Sequence, residues 1–540
     1  MAWHHGSAVL CDGEKNAPGH PAAGGAVCPT GDAPHSVAAR RHGVTEKRIA
    51  IIGAGLAGLA TGCYARMNGY QVHIFEQHSQ PGGVCTAWKR HGYTLDGCIH
   101  WLMGSKPGSF FHQVYREVGA LEGNCLMYLD HFSRVLVEGG SKAFDITADL
   151  DRLEADMKTL SPDDGPVIEE ILAGARAVRG LEMVPDKPRE LMTFFDYLRQ
   201  MWRLRKAGRY ASRYNMSVIS FAQRFKDPFL RWAITHTFVP EMPMLFLFWL
   251  LAQLADGQLA VPEGGSLVFA EAIARRYAAL GGEITYRASV EEILVEGDRA
   301  VGIRLADGST YPADVVVSAA DGYSTIFNLL GGRYVDQAVR EMYEKWPLFR
   351  PLVLVSLGVA GQFPGIPVNH KINLKAPFAI GTQLVDSLAV RILNHDPTLA
   401  PAGKTVIQVT LESDFDYWYE LHSDRAAYEA EKERIVAEVL QRLEWYLPGI
   451  PTQVEVTDVA TPYTWWRYTR NHRAAYEGWL MTPEMLRVQV RKMLPGLDNF
   501  YMAGQWVEPG GGVPAVIPSG RQVIQLICHR DGKPFVATVP

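Results

Sequence analysis

Nothing in this 540-residue chain is spaced to hold a metal. It has no CxxC pair, and its 17 histidines form neither an HxxxH nor an HExxH pair, so no metal site is expected. The seven cysteines (Cys11, Cys28, Cys63, Cys85, Cys98, Cys125 and Cys528) are scattered and odd in number. That spacing argues against a disulfide framework and for a reducing compartment. A net charge of −5, with no basic tail, gives no footing for nucleic acid, and no such partner is expected. The most apolar window, Met244 to Leu254, is too short to span a bilayer. No basic-then-apolar leader is present, so a cytoplasmic protein is expected. Residues 1–46 are rich in Ala, Gly and Pro without any period, and a disordered tail is expected there.

What is present is an ordinary globular composition, 47% apolar and 21% charged, in a chain long enough for two or three domains. Aromatic residues make up 10% of it, which suits large apolar surfaces. The chain is organised around residues 48–83. A short apolar run, Ile49 to Ile52, reads as a buried parallel strand and stops at Gly53-Ala54-Gly55-Leu56-Ala57-Gly58. Gly53 permits a tight turn, Gly55 lets backbone approach a pyrophosphate, and Gly58 lets the following helix pack close. That helix, about Leu56 to Asn68, aims its amides and dipole at the phosphates, and Gly69 stops it. Val72, Ile74 and Glu76 then alternate through a second strand, with Glu76 placed to accept from ribose hydroxyls and Gln77 beside it. The pair Gly82-Gly83, followed by Val84, is what a flavoenzyme needs where backbone passes the pyrophosphate.

Residues 126–261 read as mainly helical. Leu191, Phe194, Phe195, Leu198 and Trp202 share one helix face, and six basic residues with no acidic one fall between 199 and 213. This stretch is either a solvated face or a basic amphipathic surface for anionic lipid. Met242, Met244, Phe246, Phe248, Trp249 and Leu251 are candidate walls of an apolar tunnel. From Pro262 the α/β alternation returns: a helix from Leu267 to Ala279, strands at Glu283–Tyr286 and Val290–Val295, and a buried strand at Asp314–Asp321. Val290 is placed to present its backbone to an adenine. Strand-like runs at Leu352–Val359, Thr382–Ile392 and Thr405–Leu411 precede a helix near Ala427–Tyr446. A last strand, Phe500 to Gly504, leads through Gln505 and Glu508 to Gly510-Gly511-Gly512-Val513, and a helix from about Ile517 ends the chain.

These motifs resemble the phytoene desaturase-type branch of the flavin amine oxidase superfamily, which includes carotenoid desaturases, carotenoid isomerases and retinol saturases. Gly53 to Glu76 with Gly82-Gly83 is shared across the superfamily. The segment Gly504 to Val516, together with Tyr463, Arg467-Tyr468-Thr469 and Tyr476-Glu477-Gly478-Trp479, resembles the desaturase branch. Val84 departs from the Arg common at that place, and the Gly510–Gly512 run is richer in glycine than usual. The resemblance implies an α/β fold in which a Rossmann-like FAD-binding domain (47–125, 262–345 and 488–540) interleaves with an α+β substrate domain. That second domain, mixed sheet plus helices, would take 126–261 and 346–487. It implies noncovalent FAD, since no cysteine lies in the C-terminal motif, with contacts from Gly53 to Gly58, Glu76, Gln77, Gly82, Gly83, Val84, Val290, Gly504, Gln505, Gly512 and Val513. NAD(P) or a quinone as electron partner stays open.

The implied chemistry is desaturation, saturation or isomerisation of a long apolar polyene or isoprenoid. An amine oxidase, or a nonenzymatic isoprenoid-binding protein on the same fold, is the alternative. Asp96, His100 and Glu508 are the candidate acid–base residues. Each has a plain alternative: Asp96 as a turn support, His100 as an interior histidine, Glu508 as a loop acid. A carboxylate at 508 beside a ring and under apolar substrate is expected to be desolvated, with its pKa raised.

Overall fold

Five short strands lie side by side in the order Glu283–Tyr286, Gln71–Glu76, Arg48–Ile52, Val315–Ser318 and Phe500–Met502. Every pairing among them is parallel, so the chain must leave the sheet and come back before each new strand. The computed structural model describes residues 9–10, 47–181 and 184–540. Ile49, Ala50 and Ile51 have no exposed surface, as befits a central strand covered on both sides. Leu59, Phe269 and Ile524, from helices Leu56–Met67, Ser266–Ala279 and Val513–Arg530, cover one face. An antiparallel ribbon, Val290–Glu296 with Arg299–Leu305 and Thr310–Pro312, covers the other through Ile293 and Ile303.

A second sheet has seven strands, ordered Val454–Ala460, Leu352–Val359, Thr405–Glu412, Gln383–Ile392, Asn369–Ile380, His131–Val137 and Ala143–Thr147. It is antiparallel except where Asn369–Ile380 meets His131–Val137. One face buries Ile407 and Val409 against Ile435 and Val439 of helix Arg425–Leu443. The alternate residues face the parallel-sheet half: Arg391 reaches Asp96 and Ile99 there. Helices Leu150–Leu160, Gly165–Ala177, Pro228–Thr237 and Met244–Ala255 build a separate apolar core. The α/β fold with a sheet-plus-helix second half is therefore confirmed. The stretch from residue 126 is less helical than its sequence suggests, because its first part is the hairpin His131–Val137 and Ala143–Thr147.

Of the first 46 residues only Val9–Leu10 is described, as a strand antiparallel to Leu126–Met127; the expected disorder of the others falls outside the described residues. Cys125 is disulfide-bonded, which its scattered spacing did not suggest. Cys63, Cys85, Cys98 and Cys528 are free. Among the described residues no helix is long and apolar enough to cross a membrane.

Candidate active site

The turn after Arg48–Ile52 is built around an unspent helix N-terminus. Gly53 takes φ 94°, which a side chain disfavours, and Gly55 caps helix Leu56–Met67 in an extended conformation. No side chain caps that helix and no acid lies in its first turn, so its first amides are left for an anion. Gly58 is forced by packing: a Cβ there would sit 1.9 Å from the Gly53 carbonyl oxygen. Gly82 donates its N–H to the Ala54 carbonyl at 2.9 Å, which folds the second glycine pair over the turn. A Cβ on Gly83 would come within 3.3 Å of Gly55 Cα, so the two glycines face each other across a gap that only backbone leaves open.

Glu76 closes one end of this gap. Its carboxylate, buried at the strand end, accepts the Ala54 N–H at 2.7 Å and the His78 N–H at 2.8 Å. Two of its lone-pair sites are thus fixed, and the others remain for hydroxyl donors. Ala288 N–H donates to the Glu76 carbonyl at 2.9 Å and carries Val290 alongside. The Gln77 side chain is committed to the Tyr468 carbonyl at 2.8 Å, which leaves its backbone as the part able to meet a nucleotide. Val84 is half-buried beyond the glycine pair.

A second uncapped helix stands beside the first. Helix Val513–Arg530 begins at Gly512 (φ 75°), again with no side-chain cap and no acid in its first turn. It packs on helix Leu56–Met67 so closely that a Cβ on Gly520 would meet the Ala57 carbonyl oxygen at 2.8 Å. Gly504 ties the two together: its N–H donates to Ser519 Oγ at 3.0 Å, and its α-carbon faces Ala57. The Gln505 side chain lies against Gly478. The donor set fits FAD: backbone amides at a pyrophosphate cradle, an acid at the ribose end, and a second helix N-terminus for the electron-rich edge of a ring.

The turn Gly510 to Pro514 opens into a cavity of about 860 Å³. Trp101, Phe238, Met242, Phe246, Trp249 and Leu480 supply much of its apolar wall. Of the six tunnel candidates, Met242, Phe246 and Trp249 line it, whereas Met244, Phe248 and Leu251 are buried in the helical core instead. Helix Phe194–Arg213 roofs the far end, turning Gln200, Leu204 and Gly208 inward at four-residue spacing.

The acid–base candidates separate clearly. Asp96 is buried, accepts the Ser266 N–H at 2.8 Å and pairs with Arg391 at 3.4 Å. It does not line the cavity and serves as a tie between the two halves of the molecule. His100 does line it, but burial and the nearby Arg391 charge push its pKa down to about 3, so it is a neutral imidazole. Glu508 also reaches the cavity, but it is bound to Lys492, whose ammonium is almost fully buried. Glu508 thus has a fixed counterion, which the sequence did not reveal. Glu508→Gln should therefore act on stability, lowering it by on the order of 1–2 kcal/mol in chemical denaturation, while leaving turnover nearly unchanged.

The group that sequence reasoning missed is Glu477. Its carboxylate lines the cavity, and one oxygen lies 3.7 Å from where a Cβ on Gly512 would stand. Its partial exposure is exposure to the cavity, and burial raises its pKa to about 7. No hydrogen-bond or ion-pair partner holds it among the described residues. The available signal was an acid inside the otherwise uncharged run Ala474 to Leu480.

One uncapped helix N-terminus opens on a large apolar cavity, and a second, packed beside it, heads a glycine cradle for a pyrophosphate; that arrangement fits a flavoprotein oxidoreductase. A model of the flavin-containing amine oxidoreductases matches residues 56–528, and the chain belongs to that family. It is 24% identical to the chloroplastic prolycopene isomerase of Arabidopsis thaliana, over 87% of this chain and 80% of that one. It is 25% identical to the lycopene-forming phytoene desaturase of Pseudescherichia vulneris, over 89% of this chain and 99% of that one. A crystal structure of an oxidoreductase from Methanosarcina mazei superposes with a TM-score of 0.57 at 18% identity, covering 88% of this chain and all of the other. This is an FAD-dependent oxidoreductase of that amine oxidoreductase family.

Proposed function

We propose that this enzyme acts on a carbon–carbon bond of a long apolar polyene or isoprenoid, exchanging hydride at the flavin and a proton at Glu477. The observation that carries this reading is the 860 Å³ cavity, which runs from the Gly510–Pro514 turn to the roof helix with mostly apolar walls. The relatives' names, phytoene desaturase and prolycopene isomerase, support a carotenoid-like substrate. FAD, when bound, supplies the hydride acceptor or donor at its N5. Gly53 to Gly58, Glu76, Gly82, Gly83 and the backbone near Val290 would hold its nucleotide. Gly504, Gly512 and Val513 would meet its ring. The apolar wall excludes water and lays the chain along the cavity. Glu477, free of any salt bridge and with a pKa near 7, takes or gives the proton on the neighbouring carbon. Lipid extracted from the natively purified protein should contain an isoprenoid or polyene by mass spectrometry. Hydrogen peroxide production with an amine, and no response to any polyene, would replace this reading with an amine oxidase.

The outer face of the roof helix supports delivery from a membrane surface. On its outer side Phe194, Phe195, Met201 and Trp202 are 67–79% exposed, next to exposed Arg199, Arg203, Arg205 and Arg209. Apolar rings with interleaved arginines suit the headgroup region of anionic lipid. The protein should cosediment with anionic vesicles and come off in high salt, since the attraction is screened. Replacing Phe195 and Trp202 together by Ser should cut the bound fraction several-fold at low salt. Equal partition to neutral and anionic vesicles would leave a solvated face.

A further inference from the structure

The cavity is apolar on its helical side but not on its sheet side. Side chains alternate along a strand, so the residues on the cavity side of the seven-stranded sheet form rows across it, of which Asn369, Arg391, Lys371, Ala389 and Thr410 line the cavity itself. Asn369, Arg391, Gln408 and Ser356 make one row, and Lys371, Ala389, Thr410 and Leu354 make the next, roughly 7 Å along the strands. The first row is satisfied except for Arg391 Nε. Gln408 donates to the Asp96 carbonyl at 2.7 Å and to Ser356 at 3.1 Å, and Arg391 spends its guanidinium on Asp96, Gln408 and Ile99.

The second row is not. Lys371 and Thr410 both line the cavity, and among the described residues neither side chain has a hydrogen-bond or ion-pair partner. Neither of the carboxylates nearest Lys371 bonds to it. Glu412 is held by Arg350 at 2.5 Å, and Asp386 lies 3.7 Å from His236. Between Lys371 and Thr410 stands Ala389, the smallest side chain in the row, so an ammonium and a hydroxyl flank a hollow floored by a methyl group. Lys371 is half-buried with its exposed part facing the cavity, and an ammonium left without an acceptor once a ligand displaces water is costly. A hydrocarbon filling the whole cavity would leave it so.

We infer that Lys371 and Thr410 form a subsite for an acceptor oxygen at one end of the substrate, so that the enzyme takes an apolar chain with an oxygenated terminus rather than a pure hydrocarbon. The shared chemistry is an oxygen that accepts from an ammonium and a hydroxyl, whether carboxylate or alcohol. Glu412, Glu241 and Asp386 beyond Lys371 make the surroundings negative overall, which tempers the preference for a full carboxylate over a neutral oxygen. The inference rests on the long-chain reading of the cavity, and the test separates the two.

The test titrates the FAD-loaded protein by tryptophan quenching with two matched series. One is a conjugated C20 polyene ending in methyl, hydroxymethyl or carboxylate; the other is an 18-carbon monounsaturated chain with the same three ends. The oxygenated members should bind roughly ten- to a hundredfold more tightly than the hydrocarbon, the range for a hydrogen bond to a charged group. Lys371→Met should abolish that difference and leave hydrocarbon binding unchanged, and Thr410→Val should reduce it by about half on a logarithmic scale. The flavin spectrum of each variant reports that it has folded. Preference for oxygen in the 18-carbon series alone would keep the subsite and remove the polyene reading. Equal affinity across the ends of both series, a preference that survives Lys371→Met, or no binding by either series overturns the subsite.

Discussion

Gly55→Val protein should purify colourless, whereas the wild type is yellow and releases FAD on denaturation. The reason lies in where a side chain at 55 would go. Gly55 has φ −67° and ψ 174°, a conformation open to any residue. A Cβ there meets nothing in the protein nearer than the Gly82 carbonyl oxygen at 3.9 Å. The substitution should therefore spare the fold and fill only the space in front of the first helix, where a pyrophosphate must reach the amides. The apoprotein of the variant should melt with the apo wild type. Gly58→Ala is the contrasting control. Its Cβ collides with the Gly53 carbonyl, so it should lower stability and FAD content together. Wild-type flavin absorbance in Gly55→Val would remove the assigned cradle.

Glu477→Gln should keep FAD and slow the flavin's reaction with substrate by about a hundredfold, the usual scale of losing a positioned acid or base. The measurement is anaerobic stopped-flow across a range of pH. The wild-type carboxyl, its pKa raised by burial to about 7, is largely protonated below that pH and ionised above it. If it removes a proton from the substrate, the rate rises through pH 7 to a plateau. If it delivers one, the rate falls over the same interval. The direction of the limb thus reads the direction of the chemistry, and in the Gln variant the limb should disappear. A variant within about threefold of wild type, with its limb intact, would take Glu477 out of the mechanism.

The nucleotide half was legible because its signals are local. Strand, glycine turn, helix and acid all fall within residues 48 to 76, and each obeys a short period or a backbone requirement. The seven-stranded sheet was harder. His131–Val137 finds its parallel partner at Asn369–Ile380, more than two hundred residues on, and no local pattern announces such a pairing. Asn369–Ile380 itself hides behind Lys375-Ala376-Pro377, where the ladder to Gln383–Ile392 loses register between Asn373 and Phe378. The last helix starts at Val513, four residues earlier than its prolines suggest. Pro514 sits in the first turn, where a missing N–H costs nothing, although Pro518 also lies inside the helix. Asp96 and Glu508 were singled out by position, but their partners Arg391 and Lys492 are visible only in three dimensions. Glu477 differs from both in what surrounds it, not in type.

The strand Val315–Ser318 lies between Arg48–Ile52 and Phe500–Met502, so the middle of the parallel sheet joins the beginning, middle and end of the chain. During synthesis the first glycine turn is made long before the helix beginning at Gly512 that flanks it. A nascent chain that has not yet reached Gly512 therefore has half a cofactor site, and tight flavin uptake must wait until that helix is made. Because the ligand binds only the finished arrangement, free FAD pulls late folding forward by mass action. Flavin content per polypeptide then serves as a count of chains that have completed the sheet.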